Sequence, residues 1–339
     1  MEKPCVTAII TAYGRTRYVY EALQSALSQT LKRKLYEIIV VTNFDMDHEF
    51  VVKNNIRTVR CEKKELGTKI ALALEIAQGD IIAILEDDDL WETNKLETIV
   101  NIFQRRPRIG FIHNWMSIMG AEGQNIQTSF QSRTVRKMNS IDEYLIDTTK
   151  LTYGKARLGI SYAMDYYSSS ISFRKAAVMN YIEALREIST STDVFYFFAC
   201  LLSEQHLLAI SEKLTKYRIH SSNLSLGAGD QKDFFSRRKK YSIEVLADYK
   251  KLLALADYSG KKVTIKLIKW RLSCTVLETI WFNEDFSRLQ LLREMLSHIR
   301  YISSKQLGYD LKIIAYSFLL LIRSEFARNL FLRTYYERH

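Results

Sequence analysis

Four consecutive acids follow five apolar residues in the stretch Ile81-Ile82-Ala83-Ile84-Leu85-Glu86-Asp87-Asp88-Asp89-Leu90-Trp91. A short apolar run rich in isoleucine is typical of a strand that is buried on both faces, as in a parallel sheet. Gly79-Asp80 breaks the helical pattern that precedes it, so the strand begins there. The acids therefore lie at the carboxyl end of the strand, where open α/β sheets bind their ligands.

The clustering of these acids predicts a bound cation. Two like charges about 4 Å apart repel by about 4 kcal/mol near a protein surface, and a nearby cation removes that cost. Oxygen ligands without neighbouring cysteines favour Mg²⁺ or Mn²⁺ over Zn²⁺. The alternative is a solvated acidic turn that only caps the following helix.

Length and composition indicate a large protein with a substantial core. At 339 residues the chain is long enough for about two domains, and 47% of its residues are hydrophobic. The four cysteines are far apart and form no CxxC pair, which argues against a zinc site and against a disulfide framework. We therefore expect a protein of the reducing cytosol.

Charge and hydropathy bear on the partners. The formal net charge of +11 favours anionic partners, namely nucleotide phosphates, anionic lipid or nucleic acid. Residues 1–4 show no signal-peptide pattern. The longest apolar stretch late in the chain, Ile313 to Ile322, is half the length of about 20 residues that a membrane span requires. We expect no transmembrane segment.

Strands and helices alternate over the first hundred residues. The predicted strands are Val6–Ile10, Glu37–Val41, Ile56–Val59, the acidic strand and Ile109–Ile112, with helices from Thr16, over Ile70–Ala77 and over Thr93–Arg105. This alternation is typical of βαβ units and of a Rossmann-like, mostly parallel central sheet flanked by helices. The dinucleotide glycine fingerprint and the GxxxxGK(S/T) phosphate loop are both missing, which argues against NAD binding and the common ATPase chemistry.

The remainder of the chain is less regular until about residue 230. Residues 115–165 show no firm period, and their length is typical of an active-site loop or lid. A helix over residues 175–185 and two short strands, 207–210 and 216–220, are predicted after it. Beyond a composition change at 227–230, the pattern predicts about four helices and no strands. We therefore predict an α/β domain over residues 1–228 and an all-helical C-terminal region over residues 229–339.

Five segments stand in a specific order along the chain. They read Ile10-Thr11-Ala12-Tyr13-Gly14-Arg15, Val40-Val41-Thr42-Asn43-Phe44-Asp45, the stretch from Ala77 to Trp91 followed by Lys95-Leu96-Glu97, Thr192-Asp193, and Tyr217-Arg218-Ile219-His220-Ser221-Ser222-Asn223-Leu224-Ser225. Together they resemble the motifs of the family 2 glycosyltransferases, which have the GT-A fold. Each segment alone is a weak signal, but five in this order are specific. The resemblance covers about residues 4–225.

This resemblance implies a metal-assisted transfer reaction. Asp88 is expected to be the principal ligand of a Mn²⁺ or Mg²⁺ ion, with Asp89 and Asp87 in support, so that the metal neutralises a leaving diphosphate. Asp193 is expected to be the general base that takes the proton from an acceptor hydroxyl. The alternative for Asp193 is an acid at a helix N-terminus that interacts only with the helix dipole.

The same resemblance implies a binding site for a nucleoside-diphosphate sugar. Its expected members are Thr11, Tyr13, Arg15, Asn43, Lys69, Asp87 and His220. Tyr13 would stack on the base, and Asp87 would contact the ribose or the metal. His220 would approach the diphosphate or the metal; the alternative is a histidine whose hydrogen bonds are satisfied in a strand or turn. The nucleotide-binding half would span about residues 1–114 and the acceptor half about 115–228.

The chain departs from the family pattern at three positions. Thr42-Asn43 stands where the family carries an acidic pair, one member of which reads the base, and Asn43 can still donate and accept hydrogen bonds. Glu86 replaces an aspartate and is longer by one methylene. Thr192 replaces a usual glutamate, so the base assignment depends on Asp193 alone.

The resulting functional prediction is an inverting glycosyltransferase of the hexosyltransferase type. Its acceptor would be a glycan or a lipid-linked saccharide. One alternative is a nucleotidyltransferase that makes the sugar nucleotide, although residues 11–17 do not resemble the Gly-rich basic loop of that class. The other is a basic nucleic-acid-binding protein without catalysis, although no recognised binding motif accompanies the basic residues. We expect no nucleic-acid partner.

Two functions are possible for the C-terminal helices. Apolar and basic residues alternate over Gly308–Tyr336, a pattern that suits an amphipathic helix lying on an anionic membrane surface. The protein would then be cytoplasmic and peripheral to the inner face of the membrane. The alternative is a helix packed on the catalytic domain or on the second copy of a homodimer.

Overall fold

The architecture was obtained from a computed structural model that describes residues 3–126, 140–220, 223, 231–282, 286–322 and 326, the side chains of 231–233 excepted. Parts of the predicted lid (115–165) and of the predicted amphipathic segment (308–336) therefore lie outside the described residues. So does the whole of the predicted boundary at 227–230.

The described residues contain one nine-stranded sheet. Its strands are β1 (Val6–Ala12), β2 (Tyr36–Thr42), β3 (Ile56–Arg60), β4 (Ile81–Glu86), β5 (Leu90–Trp91), β6 (Ile109–Met119), β7 (Glu143–Ile146), β8 (Ile171–Arg174) and β9 (His206–Arg218). The strand order is β3-β2-β1-β4-β8-β6-β9-β5, and β7 pairs with β9 beside β5.

The first half of the sheet is parallel, as expected from the alternation of strands and helices. β3, β2, β1 and β4 all run in the same direction, so Ala12, Thr42 and Glu86 end at the same edge. Thr11 lies directly beside Glu86 in the register of β1 and β4. The β1 turn and the acidic turn therefore meet at one edge of the sheet.

The second half is mixed, so the expectation of a mostly parallel sheet holds only for the first four strands. β8 runs antiparallel to both β4 and β6, whereas β6 and β9 are parallel. The two short strands predicted at 207–210 and 216–220 are one 13-residue strand, β9. Its register with β6 shifts around Asn114 and Trp115, and such irregularities bend a strand without ending it.

Twelve helices surround the sheet or follow it in the described residues. They are α1 (Val19–Leu27), α2 (His48–Lys53), α3 (Leu66–Ile76), α4 (Lys95–Arg105), α5 (Tyr153–Ser161), α6 (Lys175–Met179), α7 (Ile182–Arg186), α8 (Thr192–Leu202), α9 (Gln231–Ser259), α10 (Lys262–Trp281), α11 (Arg288–Ile299) and α12 (Leu307–Leu321). The helix predicted over residues 175–185 is two short helices, and α4 begins after Asn94 rather than at Thr93. The four C-terminal helices confirm the predicted helical region.

Each face of the sheet carries its own apolar core. On one face, Ile9, Ile82 and Ile84 pack with α3 and α8, and on the other, Ile10 and Leu85 pack with α1 and α4. Successive strand residues point to opposite faces, which explains why these strands are apolar throughout. Gly67 lets α3 approach α7, because a Cβ there would lie 1.8 Å from the Leu185 carbonyl oxygen.

The C-terminal helices are joined to the α/β part by buried ion pairs. Arg157 of α5 donates to both carboxylate oxygens of Asp310 in α12 at 3.0 Å, and both side chains are fully buried. The Trp270 indole of α10 donates to the same carboxylate at 3.1 Å. Removing one partner of such a pair is strongly destabilising, so this network fixes the helices on the domain. No helix among the described residues is both long enough and apolar enough to cross a bilayer.

Candidate active site

Three acids converge at the carboxyl end of β4. Oxygen atoms of Glu86, Asp88 and Asp89 all lie within 4.8 Å of one another. A turn closed by the Asp89 N–H and the Glu86 carbonyl, 3.2 Å apart, returns the chain to bring them together. Asp89 Oδ2 is buried and has no hydrogen-bond partner among the described residues. A hard cation fits this set of oxygen atoms.

Asp87 lies outside this group of three, and Glu86 takes the place expected for it. β4 ends at Glu86, and the turn that follows brings the carboxylates of Asp88 and Asp89 close to that of Glu86. Asp87 instead accepts a hydrogen bond from Arg15 at 2.7 Å. The predicted metal ligands Asp88 and Asp89 are thus brought together with Glu86.

Arg15 and His220, both expected in the donor site, contact the acids directly. Arg15 Nη2 lies 2.9 Å from Asp88 Oδ2 and His220 Nε2 lies 3.0 Å from the same oxygen. Burial alone would raise the pKa of Asp88, but the hydrogen bond with His220 and the Arg15 charge hold that pKa below its usual value. The alternative for His220, a histidine satisfied within its own turn, does not account for this contact.

Arg218 fixes the acidic turn from β9. Its backbone N–H donates to Asp89 Oδ1 at 2.9 Å, and its guanidinium donates to the Asp88 carbonyl at 2.8 Å. The same guanidinium contacts Glu21 of α1 at 2.6 Å. Asn223 in turn accepts a hydrogen bond from the His220 N–H at 2.5 Å. These contacts give the segment from Tyr217 to Asn223 a structural reason for its arginine, histidine and asparagine.

Burial and mutual repulsion raise the pKa of two of the acids. Burial, then the charge of Asp88, raises the pKa of Glu86 well above its usual value. The same two causes raise the pKa of Asp89 to about 8. Burial also raises the pKa of Asp87, to about 6, although Arg15 opposes the shift. A divalent cation would reverse these shifts, because it favours the ionised carboxylates.

The residues expected at the base surround the turn after β1. Thr11 is buried at the end of β1, and Gly14, at φ 67°, donates its N–H to Asn43 Oδ1 at 2.9 Å. The Lys69 ammonium lies 3.8 Å from the centre of the Tyr13 ring. The structure therefore brings Thr11, Tyr13, Asn43 and Lys69 together, with Asn43 holding the turn.

Asp193 lies in the first turn of α8, and a second segment reaches it. Its Oδ2 accepts the Tyr167 N–H at 3.1 Å and its Oδ1 accepts the Val194 N–H at 2.8 Å. Burial raises the pKa of Asp193 to about 7, against the effect of these hydrogen bonds. A carboxylate with a pKa near neutrality is matched to general-base catalysis.

The segment Tyr167–Ser169 connects Asp193 with the acids of β4. Tyr167 holds Asp193 as described, with its backbone in the left-handed region at φ 65°. Two residues later, Ser169 Oγ accepts the Glu86 N–H at 3.0 Å. The Ser169 carbonyl accepts hydrogen bonds from the buried Lys95 ammonium at 2.5 Å and from the Trp91 indole at 3.0 Å. One short segment therefore contacts both parts of the site.

The C-terminal helices contact two chain segments beside Asp193. One precedes it in sequence, and the other leads to Tyr167, which lies next to it in space. The buried Asp248 of α9 accepts the backbone N–H groups of Ser189, Thr190 and Ser191 at 2.9, 3.0 and 3.1 Å. Arg271 of α10 pairs with the buried Asp165 and donates to the Tyr166 hydroxyl at 2.8 Å. The position of Asp193 therefore depends on residues beyond 228.

Several residues of this site were not predicted from the sequence. They are Lys95, Ser169, Arg218, Asp248 and Arg271. Glu86 is one of the four acids whose clustering predicts a cation, although the resemblance assigns the metal to the three aspartates. Lys95 and Arg218 stand inside the motifs that carried the resemblance. The other three act over long sequence separations, and no local pattern identifies them.

Comparisons with solved structures establish the fold. Staphylococcus aureus TarS 1-349 in complex with UDP-GlcNAc superposes with a TM-score of 0.51 at 14% identity, over 92% of this chain and 90% of that one. A mannosyltransferase of Pyrobaculum calidifontis in complex with GDP-Man and Mn²⁺ gives 0.51 at 13% identity, over 99% and 85% of the two chains. These likenesses show that the chain has a GT-A-like fold.

Sequence comparisons find relatives of this chain. Residues 7–167, just under half of the chain, match the family model Glycosyl transferase family 2. An uncharacterized glycosyltransferase of Nostoc sp. is 21% identical over 252 residues, 72% of this chain and 74% of that protein. The Escherichia coli UDP-Glc:alpha-D-GlcNAc-diphosphoundecaprenol beta-1,3-glucosyltransferase WfaP is 34% identical over 105 residues, 29% of this chain and 41% of that protein.

Proposed function

We propose that the protein transfers a sugar from a nucleoside-diphosphate sugar to an acceptor hydroxyl, with inversion at the anomeric carbon. The observation that carries this proposal is the contact of Tyr167–Ser169 with both Asp193 and the acidic turn. A base and a diphosphate-binding group are thereby held by one segment. A single displacement needs both groups around one sugar, and it inverts the configuration at the carbon attacked.

Glu86, Asp88 and Asp89 would hold the divalent cation. When bound, the cation supplies neutralisation of the charge on the leaving diphosphate. The buried, unpartnered Asp89 Oδ2 supports this assignment. Arg15 already contacts Asp87 and Asp88, and its half-exposed guanidinium is suited to bind a diphosphate oxygen as well.

Asp193 would accept the proton of the acceptor hydroxyl. As the hydroxyl oxygen bonds to the anomeric carbon, the bond from that carbon to the diphosphate breaks and the proton moves to a carboxylate oxygen of Asp193. The nucleoside diphosphate leaves with the bonding electrons. Release of nucleoside diphosphate, rather than of pyrophosphate, distinguishes this reaction from nucleotidyl transfer.

Tyr13, Thr11 and Lys69 would form the base pocket. One face of the Tyr13 ring is covered by the Lys69 ammonium, and the other would stack on the base. The acceptor is proposed to be a saccharide, free or lipid-linked. The name of the E. coli relative, whose acceptor is a diphosphoundecaprenol-linked sugar, supports the lipid-linked form.

Substitution of Asp88 by asparagine is expected to weaken Mn²⁺-dependent nucleotide binding at least tenfold. The change removes one anionic ligand and leaves His220 and Arg15 without their shared carboxylate. Isothermal titration of nucleoside diphosphate with and without Mn²⁺ measures the effect. Asp80→Asn, at the exposed start of the same strand, is the matched control. If Asp88→Asn kept its Mn²⁺-dependent affinity for the nucleotide, the assignment of the acids as metal ligands would be wrong.

The turnover number is expected to rise with pH through about 7. Asp193 must be deprotonated to accept a proton, and burial raises its pKa to about 7. Activity is therefore lost as the pH falls below that value, about tenfold per pH unit. Turnover at saturating donor, acceptor and Mn²⁺ between pH 5.5 and 8.5 measures this. A flat profile would contradict the role of Asp193.

A further inference from the structure

The helix α11 exposes an apolar stripe to solvent. Leu289, Leu292, Leu296 and Ile299 lie at spacings of three and four residues, and their exposed fractions lie between 43% and 77%. At 3.6 residues per turn these spacings place all four on one side of the helix. The opposite side of α11 is buried, because Leu291 and Met295 pack in a third apolar core among the C-terminal helices.

The helix α12 repeats this arrangement. Leu307, Leu311, Ala315 and Phe318 follow at spacings of four, four and three residues, and Ile322 continues the line directly after the helix. All five are exposed, while Ile313 and Leu320 pack into the same core as Leu291 and Met295. We define the nine residues of these two lines as the apolar surface of α11 and α12.

The charges around the apolar surface have one sign. Within residues 286–322 the exposed charged side chains are all basic: Arg288, Arg293, Arg300 and Lys305. The two acids of this range are withdrawn, since Glu294 is half-buried and Asp310 is fully buried against Arg157. Arg293 and Arg300 line a shallow depression together with Leu292 and Leu296.

We propose that the apolar surface of α11 and α12 docks on an anionic membrane. An apolar face bordered by basic residues binds a bilayer by inserting its side chains among the acyl chains while the cations contact lipid phosphates. Charge complementarity selects this occupant over a second copy of the chain, which would bring the same four cations against each other. The inference is independent of the catalytic proposal, because it uses no residue of the active site.

Vesicle flotation of the 339-residue chain tests this inference. We expect flotation with vesicles containing about one-third phosphatidylglycerol, little with pure phosphatidylcholine, and weakening as NaCl is raised. Leu296→Glu combined with Phe318→Glu should lower the partition coefficient at least tenfold. Arg293→Gln and Arg300→Gln should each lower it about fivefold. All four positions are exposed, so melting temperature and nucleotide binding should not change.

The matched control places the same charges on other exposed apolar positions. Val52→Glu combined with Ile243→Glu alters side chains that are 63% and 52% exposed, and it should float like the unaltered chain. Failure of the unaltered chain to float, or equal loss in the control, overturns the inference. A concentration-dependent dimer that Phe318→Glu dissociates, without vesicle binding, would assign the surface to a second copy instead.

Discussion

Replacement of Asp193 by asparagine is expected to lower the turnover number by about 10²- to 10⁴-fold, the usual contribution of a general base. The amide keeps the size of the side chain and one acceptor oxygen, but it cannot take the proton of the acceptor hydroxyl. Donor binding should persist, because Asp193 touches Tyr167 and Val194 rather than the acids of β4.

Two measurements separate this effect from misfolding. Turnover is followed as released nucleoside diphosphate, and donor affinity is measured by titration with Mn²⁺ present. Glu183→Gln, on the exposed surface of the preceding helix α7, serves as the control and should change neither quantity. If Asp193→Asn retained full turnover, another group would have to be the base. If both turnover and affinity fell together, the assignment of Asp193 to the proton alone would be wrong.

Replacement of Asp248 by alanine is expected to lower the turnover number about 10²-fold without a comparable loss of donor affinity. Asp248 accepts three consecutive backbone N–H groups just before α8. Their release lets the start of α8 move, and a misplacement of about 1 Å at a reacting group costs a factor of this size. The buried N–H groups left unsatisfied should also lower the free energy of unfolding by about 3 kcal/mol.

Partial rescue distinguishes positioning from general damage. Asp248→Asn restores an acceptor oxygen to the three N–H groups and should regain part of the turnover, whereas Asp257→Asn, exposed on the same helix α9, should behave as the unaltered chain. Turnover, donor affinity and denaturant unfolding are measured for each variant. Normal turnover in Asp248→Ala after correction for the folded fraction would show that α9 does not position Asp193.

The α/β pattern and the acidic strand end could be predicted because both are local signals. The apolar run before Glu86 defines a buried strand, and its end must lie at the ligand-binding edge of a parallel sheet. The grouping of Glu86 with Asp88 and Asp89 depends on the turn after β4, which folds the chain back toward Glu86. The resemblance suggested three consecutive aspartates as ligands instead.

The support around Asp193 could not be predicted, because it depends on distant contacts. Asp248 lies more than fifty residues from the N–H groups that it binds, and Arg271 lies more than a hundred residues from Asp165. Such pairs follow from how α9 and α10 pack, and an isolated aspartate or arginine in a helical pattern gives no sign of its partner. The joining of two predicted strands into β9 has a similar cause, since the shifted register with β6 holds the strand through polar residues.

Because of the contacts of Asp248 and Arg271, the proposed donor binding and the proposed proton removal depend on different parts of the chain. The groups proposed to hold the nucleotide all precede residue 228, whereas the proposed base, Asp193, is positioned by helices that follow it. We therefore expect that donor preference and turnover number can be altered independently. A chimera that carries the C-terminal helices of a relative would keep its choice of nucleotide sugar while its rate of transfer changed, and successive exchanges of α9 and α10 would show which helix sets that rate.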